Sequence, residues 1–181
     1  MRVGRYRWVE MKLFEALGGW VTSVPELEVK LRLATHAHHH AFHAELWHKR
    51  LPELRGTDPD RLTAPAPGMD AFMAAMTEPE GAGQTIEKLV GAYRVLVPHA
   101  IAAYTYHLEN TSEVADASTV RVLKLVLRDE LEDWRDGEVA IQRLLGDDEE
   151  IERAAARQVR LEKLMLAAGG IAGPRTDGAV V

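Results

Sequence analysis

THAHHHAFHAELWHKR, residues 35–50, holds six of the chain's eight histidines within sixteen residues. At about 100° per residue a helix here puts His36, His39, His40, His43 and Trp47 on one stripe, while His38 and His48 point elsewhere. The stretch also contains Glu45-Leu46-Trp47-His48, which has the E-x-x-H spacing of carboxylate-bridged metal sites. Glu45 lies about 180° from His36 on such a helix, so the two patterns cannot face one core. Leu33, Leu46 and Trp47 border the histidine stripe, whereas Glu45, Lys49 and Arg50 make the other side charged. The reading therefore turns His36, His40 and His43 inward and leaves Glu45 and His48 on a solvated surface, with His39 on the border. Clustered imidazoles are expected to depress one another's pKa by repulsion and desolvation, which keeps them neutral and able to ligate a cation.

Working outward, Ser23 reads as the N-cap of this helix, with Pro25 in the first turn and Glu26 three residues beyond the cap. The helix runs to about Leu54, with Pro52 bending its last turn. A preceding helix over about Arg5 to Trp20 is closed by Gly18 and Gly19. Residues 55–84 are rich in Pro and Gly, with one apolar patch at Ala71 to Met76, and read as a long crossover. A third helix covers Thr85 to Asn110, kinked at Pro98. A fourth starts at Ser118 or Thr119 and reaches Leu145, and a further one spans Glu149 to Ala168. The Gly-rich residues 169–181 read as a flexible tail. Period-two alternation is nearly absent. The expected fold class is all-α: a four-helix bundle with one long crossover and an additional C-terminal helix, residues 1–168 forming one domain.

Composition narrows the chemistry. A net charge of -6 in 181 residues leaves no basic footprint for nucleic acid. With no cysteine, the chain has no disulfide, zinc ribbon, iron-sulfur cluster or thiol nucleophile, so any metal is held by nitrogen and oxygen. Glu10, Lys12 and Glu15 interrupt what would be a signal peptide's apolar stretch, and no segment is apolar for long enough to span a bilayer. The expectation is a cytoplasmic protein without nucleic-acid or membrane partners.

Candidate partners for the histidines come from the other helices. On the fourth helix, Glu130 and Asp133 share a face with Leu123, Val126, Leu127 and Gly137, and two acids in an apolar stripe are costly unless paired, protonated or metal-bound. Glu132 and Asp136 lie off that face. On the third helix, Glu109 follows Tyr106 by one turn on the side of Ala102, and on the first, Glu10 shares its face with Phe14 and Leu17. The pattern is one inward acid on helices one and three and a polar pair at i, i+3 on helices two and four.

That layout resembles the ferritin-like superfamily, in particular its di-iron carboxylate oxidases and oxygenases, over about residues 5–146. The resemblance rests on the connectivity and on the stretches ELEVKLRLATHAHHHAFHAELWHKRLPELRG and VRVLKLVLRDELEDWRDGE. In that family helices one and three each give a Glu, and helices two and four each give E-x-x-H. The resemblance implies metal ligands at Glu10, His40, His43, Glu109, Glu130 and Asp133. His40 stands where the family has Glu and Asp133 where it has His, so the ligand inventory is kept while its placement differs. A carboxylate can bridge two cations and a terminal imidazole cannot, which favours a mononuclear or atypical dinuclear site, with iron as the leading metal.

Three readings follow. The first is an oxidoreductase that activates dioxygen or peroxide against a small organic substrate, with His36 and Tyr106 orienting ligands or relaying protons. The second is a metal-free enzyme using the same His and acid cluster for isomerisation, cyclisation or dehydration. The third is a binding or storage bundle without turnover. Phe72, Met73 and Met76 could cover a substrate entrance, form a homodimer surface, or pack onto the bundle.

Overall fold

The computed structural model describes residues 2–51 and 58–174. Among them the fold is all-α, with no strand. Helix α1 (Arg2–Trp20) runs through Gly18 and Gly19 rather than closing at them, and ends where Ser23 and Val24 both donate their backbone N–H to Trp20 O at 3.0 Å. Helix α2 (Leu27–Arg50) starts later than expected, with Glu26 and not Ser23 at its N-cap position. Pro25 disfavours helical backbone at Val24, which rules out a start at Ser23. Ser23 instead accepts a hydrogen bond from the buried Lys88 Nζ at 2.9 Å. Pro52 and Leu54 lie outside the described residues.

The crossover holds α3 (Pro59–Leu62) and α4 (Met69–Thr77). Met69, Phe72 and Met76 of α4 are fully buried and Met73 nearly so, against α8 (Asp148–Ala167) among other elements. Of the three roles open to the apolar patch, packing onto the bundle is the one the structure displays. The next rod is continuous from Thr85 to Glu109: α5 (Thr85–Leu89), a π segment over Val90–Leu96, and α6 (Val97–Glu109). The interruption expected at Pro98 takes the form of this wider turn just before it, where proline withholds an N–H from the preceding carbonyls. Helix α7 (Ala117–Leu144) is capped by Asp116, whose carboxylate accepts the Thr119 N–H at 3.2 Å, two or three residues earlier than expected. Helix α8 is capped by Asp147, which accepts from Glu150 N at 2.8 Å.

Helix α1 packs on α2, α2 on α7, and α7 on α6. Tyr6 on α1 reaches back to Ala103 O on α6 at 3.5 Å, so four rods surround one core. The buried face of each rod recurs at helical spacing: Tyr6, Glu10, Leu13 and Leu17 on α1, and Leu33, His36, His40, His43 and Trp47 on α2. On α6 the face is Val97, Ala100 and Tyr104, and on α7 it includes Leu123, Val126, Glu130, Asp133 and Gly137. Helices α4 and α8 and the π segment close one side. The start of the expected flexible tail packs instead, because Ile171 is buried and Arg5 hydrogen-bonds Ala172 O. Residues 175–181 lie outside the described residues. No helix among the described residues is long and apolar enough to cross a membrane.

Candidate metal centre

Polar side chains meet in the middle of this core on two adjoining layers. In the first, Glu10 of α1, His40 and His43 of α2 and Glu130 of α7 are all 0% exposed. His40 Nδ1 stands 2.7 Å from Glu10 Oε2 and 3.3 Å from Glu130 Oε1. His43 Nδ1 lies 3.4 Å from each of the same two oxygens. One ligand atom from each residue lies within 4.8 Å of the other three. Bonds of about 2.0–2.2 Å to nitrogen and oxygen set neighbouring ligands about 2.9–3.5 Å apart, so most of these separations are those of ligands around one cation.

The orphaned atoms of the layer test the fit. Buried polar atoms are normally hydrogen-bonded. Nine buried side-chain nitrogens and oxygens among the described residues have no hydrogen-bond partner, and four belong to this layer: His40 Nε2, His43 Nδ1, Glu130 Oε1 and Glu130 Oε2. Two of them, His43 Nδ1 and Glu130 Oε1, are among the atoms that converge, aimed at each other without hydrogen-bond geometry. A cation between them removes that penalty, so the donor set fits a transition metal bound by nitrogen and oxygen. Glu10 is held more tightly. Its Oε2 accepts from His40, and its Oε1 accepts the Tyr104 hydroxyl at 2.5 Å.

Charge within the layer is balanced differently from the sequence expectation. Burial alone would lower both imidazoles, yet the carboxylates of Glu10 and Glu130 overcome it and lift His40 to about 10 and His43 to about 11. In turn, burial would raise the Glu10 carboxyl, and His43 and His40 together bring it down to about 2. Mutual repulsion of imidazoles does not dominate, because each has two acids as neighbours. Two imidazolium groups against two carboxylates make the metal-free layer neutral. A divalent cation that displaces two protons leaves that neutrality unchanged.

The second layer lies one helical turn away, with His36 and His39 of α2, Asp133 of α7 and Tyr93 of the π segment. His36 Nδ1 is 2.7 Å from the Tyr93 hydroxyl, and His36 Nε2 is 3.3 Å from Asp133 Oδ1. His39 Nδ1 stands 3.0 Å from both Asp133 oxygens, and its side chain is 32% exposed. Here burial, helped by the neighbouring His40 and His39, lowers His36 to about 3. Burial also raises Asp133 to about 6, against the pull of His39.

The structure thus brings Glu10, His40, His43 and Glu130 together and sets Asp133 and His36 beside them, paired with each other. Two expected residues are elsewhere. Glu109 is exposed at the end of α6, and Tyr106 is 49% exposed with the Arg2 guanidinium 5.7 Å from its ring centre. Ala102, Tyr106 and Glu109 do share a face, as their spacing implied, but it is the solvent face. The phenols that matter are Tyr104 and Tyr93, readable from the inward run Tyr93, Val97, Ala100, Tyr104. Sequence reasoning also missed Asp129, whose Oδ2 lies 3.3 Å from His43 Nε2 and fixes which ring nitrogen faces the cluster. Its position beside Glu130 was the available hint. Glu45 and His48 stay outside, with Glu45 paired to Lys49 at 2.6 Å.

Comparison of the chain with protein-family models, with curated proteins and with solved structures finds no match to any of them.

Proposed function

We propose that this chain is a ferritin-like metalloprotein in which Glu10, His40, His43 and Glu130 hold one transition-metal ion, iron foremost, and that it acts as an oxidoreductase toward dioxygen or peroxide. The observation that carries the reading is the convergence of the orphaned His43 Nδ1 and Glu130 Oε1 with His40 Nδ1 and Glu10 Oε2 in a layer with no solvent exposure. Such an ion supplies one-electron redox chemistry and a positive charge that draws in an oxidant.

The chain's own residues would do the rest. Two neutral imidazoles and two carboxylates satisfy a divalent cation without residual charge. Asp129 accepts the Nε2–H of His43 and so presents Nδ1 to the ion. Tyr104 donates to Glu10 Oε1 and leaves Oε2 as the ligand atom. The aromatic packing of Tyr6, Trp47 and Tyr104, with ring centres 4.8–5.7 Å apart, excludes water from that side. Two clefts, one of about 330 Å³ between α1 and α4 and one of about 260 Å³ between α2 and α7, are lined by no member of the cluster.

The test is anaerobic loading with ferrous iron followed by rapid mixing with hydrogen peroxide, monitored optically and by electron paramagnetic resonance. Conversion of the bound iron to the ferric state, absent in Glu130→Gln, is the expected result. Bound iron that keeps its valence would leave a binding bundle, and failure to bind any metal would return the cluster to acid-base chemistry.

A further inference from the structure

The metal layer is sealed: its four residues are 0% exposed, and neither cleft is lined by any of them. An ion has to arrive there, so some part of the wall moves. The rods do not hold one another in the same way. Gly18 of α1 backs onto Ala37 of α2 so closely that a Cβ on Gly18 would stand 4.0 Å from the Ala37 methyl. Across the seam between α2 and α7 the partners are charged instead. Glu28 pairs with Arg143 at 3.0 Å and Arg32 with Asp136 at 2.8 Å toward one end, and Arg50 pairs with Asp116 at 3.1 Å at the other. The His39–Asp133 and His43–Asp129 contacts lie between them. Ion pairs exposed to water add little net stability, because solvent serves both charges nearly as well. The Arg32 and Asp136 side chains, 28% and 50% exposed, make a pair of this kind.

Space is left in the same seam. The cleft of about 260 Å³ has Val29, Arg32, Ala140 and Leu144 in its wall, where a filled interface would interdigitate its side chains. From that cleft Arg32 leads inward, since His36 and His39 follow it at helical spacing on α2 and Asp133 stands three residues before Asp136 on α7. His39, with a side chain 32% exposed, brings solvent to the layer next to the metal. We propose that the α2–α7 seam is the entry route to the metal layer and that the Arg32–Asp136 pair is the gate at its mouth. The inference rests on the proposed metal site. When this pair breaks, α7 leans away from α1 and α2, and the cleft extends past His39 and Asp133 to the cluster. The apolar core beside the polar strip draws the helices back together, so the open form stays a minor population.

The chain has no cysteine, so a pair introduced by substitution supplies its only thiols. Arg32→Cys with Asp136→Cys is joined by a bismaleimide whose spacer contains a disulfide. His99→Cys with Glu162→Cys, across the contact between α6 and α8, is joined in the same way as the control. Ferrous iron is added without oxygen, uptake is stopped at timed intervals with a ferrous chelator, and bound iron is measured by elemental analysis. Circular dichroism checks helicity in every form. The expected result is that the seam link slows iron uptake, that cleaving its spacer restores the rate, and that the control link leaves the rate unchanged. In the opposite direction, Asp136→Asn in the otherwise unaltered chain speeds uptake about two- to fivefold, the scale of one part-exposed ion pair, with the same final iron content. Uptake that ignores the seam link, or that slows equally with the control link, overturns the inference and leaves the metal centre standing. If the cysteine pair loses helicity, Asp136→Asn decides, and a rate no faster than wild type overturns the inference. A wild-type chain that takes up no iron overturns the metal centre and the entry route together.

Discussion

The two polar layers of the core share α2 and α7, one turn apart along them, yet they behave oppositely. In the layer of Glu10, His40, His43 and Glu130, two acids face two imidazoles, both rings are lifted above their usual range, and four atoms go unpartnered. In the layer of His36, His39, Asp133 and Tyr93, a single acid serves two rings, His36 is pushed down to about 3, and the ring nitrogens of His36 have partners on both sides. The difference teaches that burial alone does not decide what a core histidine does. The count of carboxylates around it sets its charge, and unmet geometry marks where a cation belongs.

The largest effect that could break this comparison is on metal uptake. His43→Ala or Glu130→Gln abolishes stoichiometric binding in a titration read by elemental analysis, whereas His36→Gln retains it. Loss of metal in all three would make the layers one site. Next comes Gly137→Ala, which drives a methyl into the Tyr93 ring. Overpacking of this kind costs about 1–3 kcal/mol, measured by urea unfolding, and it should distort the second layer while metal uptake survives.

A subtler effect is the pH dependence of the metal-free protein. His40 and His43 have folded pKa values raised to about 10 and 11, so their contribution is complete below about 6.5 and is lost as pH rises through those values. His36 is depressed to about 3, so its contribution is present above about 6.5 and is lost as pH falls toward 3. Thermal unfolding should therefore peak near neutrality, and His43→Ala should remove part of the alkaline fall while His36→Gln changes the acid limb. The smallest effect belongs to the residues that left the site. Glu109→Gln and Tyr106→Phe should alter stability by less than about 0.5 kcal/mol and leave metal uptake as it is.

These outcomes bear on what could be read from the residues alone. The inward stripe of α2 and the Glu130 and Asp133 pair of α7 were legible because apolar neighbours at spacings of three and four fix the direction of each face. Glu10 was read inward beside Phe14 and Leu17, and it is buried with Leu17, but Phe14 is 46% exposed and Tyr6 and Leu13 complete the buried face instead. On α6 the spacing of Ala102, Tyr106 and Glu109 placed them together, but small residues and a tyrosine occur on both faces, so direction was undetermined. The π segment upstream adds a phase shift that a 3.6-residue repeat does not carry. His36 is lowered by burial and by its neighbours His40 and His39, as expected, but His40 and His43 were misread because the number of acids around each ring is a property of packing between α1, α2 and α7. Asp129 and Tyr104 escaped notice since each acts through a neighbour.

The most direct measurement is an anaerobic calorimetric titration of the metal-free protein with ferrous iron near pH 7, repeated in buffers of different ionisation enthalpy. One ion bound per chain with release of about two protons is the predicted result, because His40 and His43 must both give up a proton to ligate. Binding without proton release would contradict the paired-charge cluster, and no binding would contradict the metal centre itself.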